Sequence, residues 1–213
     1  MKTLLFIGCG LTQGLGDREA LGWTGRLFRQ FVRERAAERQ FNLGNAWETL
    51  PDLARRAERE SRARIESEDS ALIYLQPGHI DFAIMPDGKR RTDATTHDAH
   101  LDKLITILSE LAPVMVVGPA PVSEENLPTE SPTNGDEMRF TNTGLAAASR
   151  RMSDICAPRN VPFFDLYEEL SKAPSYGLSL EENDGIHPTM IGHKLIADFI
   201  HRETKFVLDH ADV

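Results

Sequence analysis

The chain has 213 residues, 40% of them hydrophobic, with 33 acidic against 24 basic side chains and a net charge of −9. That length and apolar content suit one domain around a single sizeable core, and the acidic balance argues against nucleic acid or an anionic membrane surface as partner. Cys9 and Cys156 are far apart and lack metal-ligand spacing, so no disulfide framework is indicated. The apolar start Leu4 to Ile7 is too short for a secretory segment and has no cleavage site after it. No run approaches the roughly 18 apolar residues that span a bilayer. The expectation is a cytoplasmic protein whose partner is a small molecule or another protein.

In chain order, an apolar run from Lys2 to Ile7 predicts a strand that closes in the turn Gly8-Cys9-Gly10-Leu11-Thr12. Gly14-Leu15-Gly16 is too sparse to bind phosphate, and no nucleotide fingerprint is present. Trp23, Leu27, Phe31 and Val32 recur at helical spacing and predict a core-facing stripe. A second strand covers Phe41 to Leu43 and is followed by Gly44 to Thr49; the charge-dense stretch from Ala54 to Arg64 reads as a solvated helix laced by i, i+4 pairs. Further strands are predicted at Ala71 to Gln76, Val114 to Val117 and Pro162 to Asp165. The helical stripe Leu101, Leu104, Ile105 and Leu108 separates two of these strands, and a helix from Thr143 to Ala157 carries Cys156 in the core. Val122 to Phe140, rich in Pro, Glu, Ser, Thr and Asn, is a loop insertion, either a lid or partner loop or a surface excursion. Asp184-Gly185-Ile186-His187-Pro188 precedes a last helix whose stripe is Ile191, Leu195, Ile196 and Phe199. Alternating strands and helices predict an α/β fold with a mainly parallel sheet covered on both faces.

In such sheets ligands gather at the carboxyl ends of the strands, where Gly8 to Thr12, Gly44 to Thr49 and Pro77 to Asp81 all fall. Across nearly its whole length the chain resembles the SGNH or GDSL hydrolase family of esterases, lipases and deacylases. FIGCGLTQGLGD is similar to the family's first block, FNLGNAWET to the second, LQPGHIDF to the third and NDGIHP to the fifth, while VVGPAPV and VPFFDL fit connecting strands. The resemblance implies a three-layer α/β/α sandwich with a central five-stranded sheet, flavodoxin-like, as one domain over residues 1–213.

It also implies a damaged active site. Gly10 stands where the family's nucleophilic Ser belongs, and Cys9 where its preceding Asp belongs. Trp47 aligns with a Gly whose N–H serves the oxyanion hole, unless a shift of one or two residues recovers Gly44 as donor. Ile80 replaces the Asn that donates its side-chain amide, and only Asp184 and His187 match the family's acid and base.

The residues leave alternatives. Asp184 and His187 suit proton abstraction, or they tie down the last loop. Cys9 is a substitute nucleophile set one residue too early, or a small buried hydrophobe. Thr12 bonds local backbone or caps a helix. His79, Asp81, His97 and His100, with Asp184 and His187, could build a metal site, or be histidines scattered on an acidic surface; no metal and no cofactor is the expectation. The resulting reading is a member of this family that has lost serine catalysis and binds a small ligand or protein through the old cleft, at Gly10, Trp47, Gly78, His79, Ile80 and His187. The alternative is residual acyl hydrolysis in which the Asp184–His187 dyad acts with water or Cys9.

Overall fold

The computed structural model describes residues 2–67, 70–130 and 135–210. Its main sheet has five strands in the order β2-β1-β3-β4-β7, all parallel. They are β1 (Lys2–Gly8), β2 (Ala37–Gly44), β3 (Ala71–Gln76), β4 (Val114–Val117) and β7 (Phe163–Phe164), as the apolar runs predict. Between and after them lie α1 (Gly10–Gln13), α2 (Gly22–Arg33), α3 (Leu50–Ala54), α4 (Ala57–Arg62), α5 (Ala94–Ser109), α6 (Asn142–Cys156), α7 (Leu166–Leu170), α8 (Pro174–Glu181) and α9 (Met190–His210). None of these helices is long and apolar enough to cross a membrane.

Because successive side chains of a strand point to opposite faces, β1 and β3 divide their residues between two cores. Leu5, Ile7, Ile73 and Leu75 join α3, α4, α5 and α6 in one, while Leu4, Phe6, Leu72 and Tyr74 join α2, α7, α8 and α9 in the other. The result is the three-layer α/β/α arrangement. In the second core Phe6 meets Trp23 edge-on and stacks on Tyr74, both at centroid separations of 5.2 Å.

Two stripe members fall outside the core. Val32 is 43% exposed and Ile191 47% exposed. Trp23, Leu27 and Phe31 already occupy the inward i, i+4, i+8 row of α2, so Val32 is turned off it by about 100°. Ile191 lies in the first turn of α9, before the buried stretch at Ile196 and Ala197.

The charge-dense segment is two short helices, and Arg56 between them is not solvated. Its guanidinium pairs with Glu48 at 2.7 Å and donates to Leu43 O at 2.8 Å, tying the loop after β2 to the helices. The expected i, i+4 lacing is present in Arg62–Glu58 at the surface and in Arg56–Glu60, which is partly buried. The insertion after β4 is anchored in the core by Met138 and Phe140. There β5 (Thr129–Glu130) and β6 (Glu137–Met138) pair antiparallel, and Arg139 bridges to Ile84; residues 131–134 of the expected loop lie outside the described residues.

Thr12 neither caps α1 nor bonds local backbone through its hydroxyl. Fully buried, it donates to Gln76 Oε1 at 2.7 Å, the atom that also accepts from Trp23 Nε1 at 3.2 Å. This bond pins the first turn to the end of β3. The aromatic cluster below it sets the first prediction: Phe6→Ala lowers stability by about 3–5 kcal/mol, seen in urea titration as a lower midpoint with an unchanged slope.

Candidate active site

The site begins where β1 meets α1. Gly8 has no room for a side chain, since a β-carbon there would lie 2.1 Å from Thr12 Oγ1 and 2.6 Å from Gln76 O. Cys9 then leads into α1, which ends at Gly14 in the left-handed conformation at φ 95°. This is the predicted strand-to-helix turn. At its first helical position, Gly10 faces the last loop: a β-carbon on Gly10 would come within 2.6 Å of His187 Nε2.

That loop is tightly built. Asp184 Oδ1 accepts from the backbone N–H groups of Ile186 and His187 at 2.9 and 2.7 Å, and its Oδ2 accepts from His187 Nδ1 at 2.7 Å. Burial of the Asp184 carboxyl works against ionisation, but the bonds from the His187 ring and backbone outweigh it and hold its pKa below the usual value. The turn needs Gly185 at φ 79°. Asn183 Nδ2 donates to His187 O at 2.8 Å.

The second-block loop covers the imidazole. Trp47 meets the His187 ring edge-on at 6.3 Å between centroids. Its backbone lies at φ 70°, in the left-handed region that favours glycine and costs other residues about 1–2 kcal/mol. The alternative donor is engaged: Gly44 N–H bonds Asn42 Oδ1 at 2.9 Å, and Ala46 N–H bonds Gln13 Oε1 at 2.8 Å.

The third block packs against the first. A β-carbon on Gly78 would sit 1.8 Å from Cys9 Sγ, so the thiol fills the space that Gly78 leaves. Burial, aided by the charge of Asp81, pushes the Cys9 thiol up to about 12 despite backbone N–H groups around it. This environment suits a packed hydrophobe, because a nucleophile needs the thiolate. His79 Nε2 lies 2.8 Å from Ala120 O, and burial pushes its pKa down to about 4. Ile80 presents an apolar side chain, and the buried Asp81 accepts from Leu50 N–H at the start of α3.

Gly10, Trp47, His79, Ile80, His187 and Cys9 therefore do converge on one cavity, whereas Gly78 and Asp184 stand behind its lining. The cavity has a volume of only about 20 Å³, near the minimum for a single water. Leu11, Ala46, Phe140 and Ile186 complete it. Ile186 could have been found from its place inside the fifth block. Phe140, nearly fifty residues before it in sequence, carries no local signal.

The histidines are not scattered over the surface. His97 is fully buried with Nδ1 3.1 Å from Asp98, and His100 bonds Thr96 O at 2.8 Å. His193, which sequence reasoning passed over, is fully buried between Trp23 N–H at 3.1 Å and Leu15 O at 2.8 Å. Among the described residues no group of three or more His, Cys, Asp or Glu side chains is placed to hold a metal ion.

The sequence model of the GDSL-like Lipase/Acylhydrolase family matches residues 6–195, most of the chain. A search of curated protein sequences returns no match. Among solved structures, the fold is similar to a lipase/acylhydrolase from Enterococcus faecalis, with TM-score 0.73 and 21% identity over 97% of this chain and 96% of that one. A catalytic mutant of Axe2, an acetylxylan esterase from Geobacillus stearothermophilus, gives TM-score 0.71 and 20% identity over 95% and 93%. A member of the lipolytic G-D-S-L family from Veillonella parvula gives 0.70 and 16% over 99% and 100%.

Two predictions follow from the buried groups. His79 and His193 both have pKa values depressed from 6.5 to about 4, in each case chiefly by burial. The unfolded chain therefore binds protons more readily between these values, and stability falls as pH drops from 6.5 toward 4, then levels off for these groups. Thermal unfolding across that window should show the loss, and His79→Gln should flatten the curve. Native protein should resist iodoacetamide at Cys9 and become reactive on unfolding, as read by mass spectrometry.

Proposed function

We propose that this protein, which belongs to the GDSL-like Lipase/Acylhydrolase family, has lost serine ester hydrolysis and keeps the His187 cavity as a binding site. The observation that carries the reading is the contact at Gly10. There is no hydroxyl to attack an acyl carbon, and the imidazole occupies space that a side chain at this position would need. In a related mechanism, removing the serine costs on the order of a million-fold in turnover. At the family's oxyanion-hole positions Ile80 lacks the side-chain donor, Trp47 retains only a backbone N–H, and the amide of Gly44 is bonded elsewhere. Each such donor is worth roughly a hundred- to a thousand-fold when the rest of the machinery is intact.

The retained Asp184–His187 pair supports the alternative of direct water activation only in part. An oriented base is present, but the aligned side-chain positions offer no donor for a developing oxyanion. Cys9 does not supply the missing step, because its thiol is buried against Gly78. Trp47 and Ala46 are the half-buried members of the cavity wall. A ligand or partner segment would therefore enter there.

The test is hydrolysis of short-chain p-nitrophenyl esters by the unaltered protein, His187→Ala, Gly10→Ser and Gly10→Ser/Trp47→Gly/Ile80→Asn. The unaltered protein should match the His187→Ala background. Gly10→Ser alone should recover little, since the new β-carbon presses on a ring held by Asp184 and covered by Trp47. The triple variant should gain turnover that disappears when His187 is also removed. Turnover by the unaltered protein that depends on His187 would overturn the proposal.

A further inference from the structure

The cavity at His187 has the opposite polarity from a site that stabilises an oxyanion. Asp184 accepts from His187 Nδ1, so Nε2 of the neutral ring carries a lone pair. Ala120 O can only accept, so His79 Nε2 carries the proton and its Nδ1 is likewise an acceptor. The other side chains around the space are apolar, apart from the Cys9 thiol packed on Gly78. Among the described residues no Lys or Arg lines it. On His79 the charge effects of His187 and Asp184 oppose each other, His187 disfavouring and Asp184 favouring its charged form, while Asp81 disfavours the Cys9 thiolate. The backbone N–H groups of Gly10, Leu11 and His79 are turned to the Cys9 sulfur, so an oxyanion here would face the two imidazole acceptors.

We infer that the cavity receives a primary ammonium head group, which donates hydrogen bonds to the free nitrogens of His187 and His79 while Asp184 supplies the countercharge. The inference rests on the reading of this site as a binding site. The space of about 20 Å³ admits a head group no larger than about one water. A single ammonium nitrogen meets that limit, and a carboxylate does not. The alkyl part of the amine leaves past Ala46 and Trp47, where an indole favours both apolar chain and cation.

The experiment titrates the full chain, at slightly alkaline pH and matched ionic strength, with methylammonium chloride, sodium acetate, methanol or sodium chloride. Proton–carbon correlation NMR follows the imidazole resonances of His79 and His187. Methylammonium should shift both resonances saturably, and the other three additives should not. His79→Phe should weaken the binding about tenfold or more, the loss expected for a hydrogen bond to a charged group. Equal shifts with acetate or methanol, or no saturable response to methylammonium, would overturn the inference. If His79→Phe does not fold, discrimination between methylammonium and acetate by the unaltered chain decides the matter. The ester assay on the same preparation separates the two readings. His187-dependent turnover removes the proposed function, whereas a silent protein that ignores methylammonium removes the ammonium inference alone.

Discussion

The imidazole of His187 is gripped on one side by Asp184 and stands on the other so close to Gly10 that a β-carbon would fall within 2.6 Å of Nε2. This contact couples the first turn of the chain to the last loop. Gly16 strengthens the coupling, since a β-carbon there would lie 2.4 Å from Pro188 O. Trp47 then lies across the ring from a third segment. A change at residue 10 is therefore transmitted to the ring and onward to the indole. The substitutions at Gly10 and Trp47 act on one packed unit, so their effects on the site will not add.

Around this contact the site is closely filled. The Cys9 sulfur takes the volume left by Gly78, and Ile80 closes one wall with an apolar side chain. Trp47 occupies a backbone conformation suited to glycine, and burying part of an indole offsets some of that strain. Within the site the His187 ring is held in one orientation by Asp184. Its neighbour across the cavity, His79, is fixed by Ala120 and points the site toward accepting hydrogen bonds.

Much of the fold was legible because β1, β3 and β4 are buried on both faces and read as continuous apolar runs, bounded by glycine and proline. The edge strand β2 was read as only its last few residues, Phe41 to Leu43, because Glu38, Arg39 and Gln40 are polar or charged and face solvent. Helical stripes identified the core side of α2, α5 and α9 but overran it at Val32 and Ile191. Periodicity locates a face without showing where its packing ends. Arg56 was taken with its charged neighbours because charge density says nothing of which guanidinium turns inward to Glu48 and Leu43 O.

The sequence by itself determined the α/β class and the family, and it places glycine at residue 10. These depend on local pattern and on residue type in short motifs. Only the tertiary structure decided that Thr12 bonds Gln76, that Gly44 and Ala46 are spent as donors, and that Phe140 walls the cavity. It alone also decided that the space is small and lined by the rings of His79 and His187. Contacts between segments far apart in the chain set volume, burial and hydrogen-bond direction, and no spacing within one segment encodes them.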